Sequence, residues 1–302
     1  MDGKRETKRV FCPKADSGGT VLWEGLTPEL LALIFVRIPP EQLLQAVQFV
    51  CKSWEKVIAG PYCWTDIDVA EWCSFSARSS NTIVRRLVCR SGDTFRMLSA
   101  CKLSNSVFSY VADCGRCLTV LKIPKSGVTD MIVEKHAKSL SKVAVLDISH
   151  CLNIASKGIR ALGKHCKSLV HLVRNMDPPE LHWPYEESSQ VDDWEAMDIA
   201  DTMPGLCQLE LQYGHFGDRG LDAILTKCLS LTYLDIQGCS NVEMGGDIGE
   251  KSDRLDELWG PWDATPYGLW KLDAEDTVIF RATNGVTYSS TVCRVPSCLY
   301  LA

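Results

Sequence analysis

Apolar residues recur at helical spacing in three short runs between residues 23 and 67. The first run follows Thr27, a residue type that caps helix N-termini, and Pro28, which suits the first helical position. Pro39-Pro40 ends this helix and begins a second, and Gly60-Pro61 closes a third. Three short helices are therefore predicted. Their apolar positions are Leu30, Leu31, Ile34, Phe35, Ile38, Leu43, Leu44, Val47, Val50, Trp54, Val57 and Ile58.

From about residue 95 the pattern changes to a repeat of the form L-x-[LI], usually with another apolar residue three positions earlier. Its copies are separated by 23, 25, 26, 37 and 25 residues. Periods of about 20–29 with such a pattern are the signature of leucine-rich repeats, in which a short strand alternates with a returning helix. We therefore predict an α/β fold with a short, open solenoid of five or six repeats over 86–245. The first leucines of the copies are Leu98, Leu121, Leu146, Leu172, Leu209 and Leu234.

The long step between Leu172 and Leu209 indicates an insertion, which we place at 177–201. This stretch holds nine acidic residues and no Lys or Arg. Insertions in solenoids form loops on one face, often the binding face, although a solvated loop without a binding role is equally compatible with this composition. Trp183, Tyr185 and Trp194 favour binding slightly, because aromatic residues are enriched in interfaces.

Beyond about residue 243 the repeat is no longer recognised, and 246–302 is expected to be an irregular, acidic segment containing several Trp residues. Two β-type runs flank Asn284-Gly285, a dipeptide typical of two-residue hairpin turns. The hairpin is either a cap on the last repeat or part of a free tail. Residues 1–20 carry charges but no apolar core of a secretory signal, so we expect a disordered leader.

Composition narrows the classes of function. The chain of 302 residues has a net charge of −6, which argues against non-specific nucleic-acid binding. No apolar run approaches the length of a membrane span, so no membrane partner is expected. The basic residues of the leader fit either a weak nuclear signal or a solvated tail. A nuclear or cytoplasmic location is expected, and the basic residues concerned are Lys4, Arg5, Lys8 and Arg9.

Fifteen cysteines are present, an odd number spread along the chain. In the absence of a secretory signal this favours reduced thiols. The one CxxC, Cys114 to Cys117, lacks a second ligand pair, so no metal site is predicted. Cys151 and Cys166 each follow a histidine but occupy repeat positions, which makes core cysteine a better interpretation than a catalytic nucleophile.

Residues 26–67, which contain the three predicted helices, resemble the F-box motif. The matching positions lie over 21–68 and include Pro28-Glu29, Ile38-Pro39, Val50-Cys51-Lys52 with Trp54, and Pro61 with Trp64. An F-box followed by leucine-rich repeats is similar to the F-box/LRR class, and within it to plant proteins of the FBW/SKIP type. Residues 255–302 depart from the long acidic tail of such proteins.

This resemblance implies a non-catalytic substrate receptor of an SCF ubiquitin ligase. The F-box would bind a Skp-type adaptor, and through it a cullin and a RING subunit, while the repeats hold an unknown protein substrate. Leu30, Leu44, Val47, Val57 and Ile58 would hold the helices together, and Trp64 and Ile67 would join them to the first repeats. The implied adaptor-facing residues are Leu26, Pro28, Leu31, Ile34, Ile38, Pro39, Leu43, Val50, Cys51 and Trp54.

Side chains that alternate with the inward leucines are candidates for substrate contact, or else ordinary solvated strand positions. Five or six repeats form only an open arc, so the ring-enclosed small-molecule pocket of plant hormone receptors, and with it a cofactor, is not expected. A repeat scaffold acting outside a ligase and a cysteine-dependent hydrolase are the competing functions. The substrate candidates are Lys122, Asp147, Glu210 and Asp235, with Trp183 and Trp194 from the insertion.

Overall fold

The computed structural model describes residues 23, 26–73, 77–178 and 191–263, with the backbone alone for 77–79, 277–281 and 287–291. The predicted leader, Trp183 and the Asn284-Gly285 turn lie outside the described residues. The helices are α1 (Pro28–Phe35), α2 (Pro40–Gln45), α3 (Lys52–Ala59), α4 (Ala70–Cys73), α5 (Ala77–Ser91), α6 (Asn105–Cys114), α7 (Asp130–His136), α8 (Ser156–His165), α9 (Trp194–Thr202), α10 (Asp218–Lys227) and α11 (Ile248–Ser252).

Helices α1 to α3 form the predicted three-helix unit. Thr27 caps α1, because its Oγ1 accepts a hydrogen bond from the backbone N–H of Leu30 at 3.4 Å. Pro28 occupies the first turn of α1 and Pro40 that of α2. Leu31 and Phe35 of α1 are buried in the core of the unit together with Ile58 of α3. The cap and the apolar spacing thus produce a compact unit with very few core residues.

Eight short parallel strands follow in chain order and form one sheet. Their middle residues are paired in register, and this row of side chains, all buried except the half-buried Leu258, is the spine of the solenoid. The predicted α/β solenoid is confirmed. The strands are β1 (Asp66–Asp68), β2 (Met97–Ser99), β3 (Val120–Lys122), β4 (Val145–Asp147), β5 (His171–Val173), β6 (Gln208–Glu210), β7 (Tyr233–Asp235) and β8 (Glu257–Trp259).

The sheet is longer than the predicted repeat region of 86–245 at both ends. Strands β2 to β7 are the six copies found in the sequence, and β1 and β8 add one strand at each end. Both extra strands carry the same signal in degenerate form. Ile67 is preceded three residues earlier by Trp64, and Leu258 by Leu255. At the N-terminal end Trp and Ile stand where the pattern has leucine, so this copy was not recognised in the sequence. At the other end α11 and β8 lie within 246–302, which corrects the expectation that this segment begins as irregular chain.

The predicted insertion at 177–201 contains a repeat helix, which corrects its boundary. Helix α9 (Trp194–Thr202) stacks between α8 and α10 as the helix of its own repeat. Gly163 of α8 and Gly220 of α10 allow this close approach. A Cβ atom would lie 2.5 Å from Thr202 Cβ at the first and 2.9 Å from Ala196 Cβ at the second. The additional chain is therefore confined to the connection between β5 and α9.

Neighbouring repeats are joined by acidic caps at the N-termini of the helices. Asp130, the first residue of α7, accepts hydrogen bonds at Oδ1 from the N–H groups of Ala155 and Gly158 in the next repeat, at 2.8 and 2.9 Å. Asp193 does the same for Gly217 and Gly220. The N-termini of α8 and α10 are thus satisfied by a residue of the preceding repeat, so these repeats stabilise one another as nearest neighbours.

Two further strands, β9 (Thr277–Arg281) and β10 (Thr287–Thr291), pair antiparallel, as the hairpin prediction expected. The five residues between them lie outside the described residues. Among the helices that are described, none combines the length and the apolar character required to cross a bilayer.

Candidate functional site

The three-helix unit presents an unusual amount of apolar side chain to solvent. Eight of the fifteen exposed large apolar side chains in the described residues lie between positions 23 and 62. We call these eight the apolar surface of the unit. Large apolar side chains exposed in such density mark interaction sites on soluble proteins. The members of the apolar surface are Trp23, Leu30, Leu33, Ile34, Val36, Phe49, Val50 and Tyr62.

Helix α1 contributes a groove within this surface. Leu26, Leu30, Leu33 and Ile34 line it, and Arg37 stands at its edge. Leu30, Leu33 and Ile34 recur with helical spacing on one side of α1, next to the side on which Leu31 and Phe35 are buried. Helix α1 is therefore apolar around most of its circumference, and only one side of it is covered by its own domain.

Aromatic packing supports the surface from below. The Trp54 ring lies edge-on to Phe35, with centroids 5.0 Å apart, and to Trp23 at 5.9 Å. Trp54 is half-buried and packs against the domain core. The side chain therefore joins the interior of the unit to its exposed apolar surface.

The structure distributes the ten predicted adaptor-facing residues over three environments. Pro28, Ile34, Pro39 and Val50 are exposed, whereas Leu26, Ile38, Cys51 and Trp54 are half-buried. Leu31 and Leu43 are fully buried in the core, which corrects their assignment to a docking surface. Both leucines are at most 1% exposed and pack against the other core residues of the unit, so they act in folding.

Leu30 is a second correction, because we expected it in the core and it is exposed on α1. Leu44, Val57 and Ile58 are buried as expected, and Val47 is half-buried. Leu33 and Phe49 are exposed residues that the sequence reasoning missed. The available signal was the spacing of Leu30, Leu33 and Ile34, which places three large apolar residues on one side of α1.

Trp64 and Ile67 connect the three-helix unit to the solenoid. The Trp64 indole is fully buried, donates a hydrogen bond from Nε1 to the Ile58 carbonyl at 2.8 Å, and lies 5.9 Å from the Arg90 guanidinium of α5. Ile67 is the buried middle residue of β1, paired with Leu98. One side chain thus contacts both α3 and α5, which attaches the two parts by packing rather than by a free linker.

The four charged substrate candidates lie in one row on the sheet. Lys122 pairs with Asp147 across β3 and β4, and Glu210 pairs with Asp235 across β6 and β7. Lys122 is exposed and Asp147 and Glu210 are half-buried, but Asp235 is buried. Since the middle residues of the strands point inward, this row faces the opposite, concave side of the sheet.

Asp235 has a strongly held carboxylate. Oδ2 accepts a hydrogen bond from Gln212 Nε2 at 2.6 Å, and Oδ1 accepts one from the backbone N–H of Gln237 at 3.0 Å. Burial nevertheless raises the pKa of this carboxyl above its ordinary value. Burial also raises the pKa of the neighbouring Tyr233 to about 12, assisted by the negative charges of Asp235, Glu210 and Glu257.

Trp194 lies away from the concave row. It is exposed at the start of α9, on the side of the solenoid formed by the helices. The prediction that grouped Trp194 with the four charged residues therefore combined two opposite faces of the solenoid.

The cysteines singled out in the sequence are buried, as predicted. Cys151 donates a hydrogen bond from Sγ to the Ile123 carbonyl at 3.2 Å, and burial raises the pKa of its thiol to about 11. Burial raises the pKa of Cys166 to about 12. Both changes disfavour the thiolate that nucleophilic catalysis requires. Within the described residues no group of three or more His, Cys, Asp or Glu is placed to hold a metal ion.

The chain is similar to a known domain family and to several known proteins. The model of the F-box-like family matches residues 23–70. F-box protein FBW2 of Arabidopsis thaliana is 38% identical over 74% of this chain and 69% of its own length. F-box protein SKIP1 of the same plant is 32% identical over 77% of this chain and 84% of its own. An internalin from Listeria monocytogenes superposes on 56% of the chain and 42% of its own length, with a TM-score of 0.35 and 16% identity.

Proposed function

The chain belongs to the plant F-box/LRR family, and from this premise we propose that it is the substrate-recognition subunit of an SCF ubiquitin ligase. In this proposal the three-helix unit binds a Skp-type adaptor, which connects it to a cullin and a RING subunit. The repeats bind the protein to be ubiquitinated. The F-box is the domain that binds Skp1-type adaptors in such ligases, and the F-box-like match covers the three-helix unit.

The observation that carries the proposal is the apolar surface of the three-helix unit. A domain of this size leaves eight large apolar side chains exposed, including Leu33, Phe49 and Val50. Exposed apolar area of this density is stabilised when a partner covers it. The surface lies within the residues that match the F-box-like family, so a Skp-type adaptor is the partner that we propose for it.

The proposed mechanism is proximity rather than covalent chemistry by this chain. Holding an acceptor lysine near the charged conjugating enzyme raises its effective concentration. That effect requires a fixed geometry between adaptor and substrate, and the packing of Trp64 between α3 and α5 supports such rigidity. The raised pKa values of the buried thiols of Cys151 and Cys166 speak against a cysteine-dependent hydrolase.

Two leucines of equal exposure provide a matched test. Leu33 lies on the apolar surface and is 65% exposed, whereas Leu152 lies in the repeats and is 68% exposed. We expect Leu33→Asp to weaken binding to a purified Skp-type adaptor by at least about thirtyfold, since a charge would be buried in an apolar interface. Leu152→Asp should leave adaptor binding unchanged. Binding is measured by calorimetry, after circular dichroism has shown that both variants are folded.

Equal adaptor affinity of the wild type and the Leu33→Asp variant would refute this docking surface. Copurification of the adaptor without any cullin from plant cells would favour the repeat scaffold acting outside a ligase.

A further inference from the structure

The concave side of the last three strands carries carboxylates and aromatic rings together. The third residues of these strands, Glu210, Asp235 and Trp259, form one row across the sheet. The first residues form a second row, in which Tyr233 and Glu257 are neighbours. Adjacent strands are about 4.8 Å apart, so Tyr233 is surrounded by three acidic side chains. We call these five residues the acidic end of the concave face.

The acidic end differs from the helical side of the same repeats in how its charges are compensated. On the helical side Asp201 pairs with Lys227, and Asp222 pairs with Lys251. In the described part of the chain, no Lys or Arg forms an ion pair with Glu210, Asp235 or Glu257, and the only ionisable partner is His171, 3.1 Å from Glu210. Among the described residues, these two carboxylates of the helical side are therefore paired with lysines, whereas the three carboxylates of the acidic end have no lysine or arginine partner.

A buried glutamine amide lies next to these carboxylates, and its carbonyl oxygen accepts no hydrogen bond from the described residues. Gln237 is only 7% exposed, and its Nε2 lies 3.4 Å from Asp235 Oδ2, so the amide group is directed at the acidic end. Its Oε1 has no hydrogen-bond partner among the described residues. A buried acceptor without a donor is unfavourable, and the penalty is removed when a bound ligand supplies an N–H group.

We infer that the acidic end binds a segment of the protein substrate that carries lysine or arginine. Ammonium and guanidinium groups are donors without acceptor capacity, which matches a site made of carboxylates and a free carbonyl oxygen. The half-buried rings of Tyr233 and Trp259 add the faces to which such cations are attracted. This inference rests on the proposed function, because it names the class of segment that the repeats would take.

The probe for the test is a fluorescent peptide, Gly-Gly-Arg-Lys-Gly-Arg-Lys-Gly-Gly, whose counterpart has Gln at the four basic positions. Anisotropy is measured with the full chain, alone and bound to the adaptor, at physiological ionic strength. The basic peptide should bind and the Gln peptide should not. The double variant Glu210→Gln and Glu257→Gln keeps the shape and one acceptor oxygen of each side chain, and it should bind the basic peptide about tenfold more weakly.

Two exposed acidic residues on the helices provide the control, because they remove the same net charge elsewhere. Glu134→Gln with Glu250→Gln should bind the basic peptide like the wild type. For the aromatic part, Tyr233→Leu should weaken binding about threefold, whereas Tyr233→Phe retains the ring and the affinity.

The inference is overturned if the double variant at the acidic end binds the basic peptide as the wild type does. It is also overturned if the control pair loses the same affinity, since binding would then follow net charge alone. Adaptor binding is measured on the same samples. Loss of peptide binding with adaptor binding intact supports the inference, and peptide binding without adaptor binding would contradict the proposed function alone.

Discussion

The three-helix unit and the solenoid bury their apolar side chains in different ways. The unit, about forty residues long, exposes eight large apolar side chains, whereas the rest of the described chain exposes seven over a much longer stretch. In the solenoid the middle residue of each strand pairs with the next, so every repeat covers its neighbour. In the part of the chain that the structure describes, the unit has no such neighbour on the outer side of α1.

This contrast teaches that one chain can contain a self-sufficient part and a part that depends on a partner. A domain of about forty residues has too little volume to cover all of its apolar area. Stacked repeats avoid this limit, because each repeat covers the apolar faces of its neighbours. The exposed side of α1 is therefore the physical counterpart of the proposed adaptor interface.

The largest expected effect is the difference in labelling rate between buried and exposed cysteines outside the three-helix unit. Burial raises the pKa of Cys166 and Cys239 to about 12, so both thiols stay protonated at about pH 8 and become reactive only as the pH approaches that value. Cys89 and Cys117 are exposed. Iodoacetamide should label the exposed pair in the native protein at least about a hundredfold faster, as read by mass spectrometry of peptides.

Urea unfolding provides the reference for that experiment, since all four thiols should then react at similar rates. Rapid native labelling of Cys166 would show that the solenoid core opens easily, and it would reopen the question of a catalytic thiol.

Truncating a core leucine of the solenoid should have the next largest effect. Leu146 is the buried middle residue of β4 and contacts neighbours on both sides. We expect Leu146→Ala to lower the free energy of unfolding by about 2–5 kcal/mol, because the change leaves a cavity in a packed row. Leu152→Ala, at an exposed position, should change it by less than about 0.5 kcal/mol. Urea denaturation measures both, and equal effects would contradict the packed-spine interpretation.

Removing an exposed ring from the three-helix unit should affect binding but not folding. Phe49 is 73% exposed, and Leu229 in the repeats is 74% exposed. We expect Phe49→Ala to leave the free energy of unfolding within about 0.5 kcal/mol of wild type and to cost about 2 kcal/mol in adaptor binding. Leu229→Ala should change neither quantity. A fall in stability without a fall in affinity would place Phe49 in the fold rather than in the interface.

The smallest expected effect concerns the coupling between repeats. Asp130→Ala removes the acceptor for the N–H groups of Ala155 and Gly158, so the free energy of unfolding should fall by about 1 kcal/mol. Asp130→Asn keeps an acceptor oxygen and should recover most of the loss. Hydrogen exchange should quicken at the start of α8 in the alanine variant. An effect confined to α7 would show that the caps do not join repeats.

Sequence reasoning succeeded where one periodic signal determined the structure. The spacing of Leu98, Leu121 and Leu146 predicts three strands of one sheet, because residues of like type at a fixed period take equivalent positions in a solenoid. The prediction failed where the residue types changed. Ile67 is the middle residue of the first strand and follows Trp64 at the usual spacing of three, and α9 follows an acidic connection, so neither element shows the expected leucines.

For the candidate surfaces the limit was different. The F-box resemblance identified the segment, but it did not separate Leu31, which is buried, from Leu33, which is exposed. Two residues along a helix differ in direction by about 200°, and which direction meets the core depends on how α1 is seated against α3. Burial is a property of the packed domain, so a motif alone does not assign it.

The sequence by itself determined the architecture of this protein, because local periodicity and caps decide which residues form strands and helices. Only the tertiary structure decided which side chains share a surface. Glu210, Tyr233 and Glu257 are separated by more than twenty residues from one to the next, and they meet because parallel strands stack in register. Likewise, the unpartnered Gln237 carbonyl and the uncovered side of α1 are results of packing that no local sequence pattern specifies.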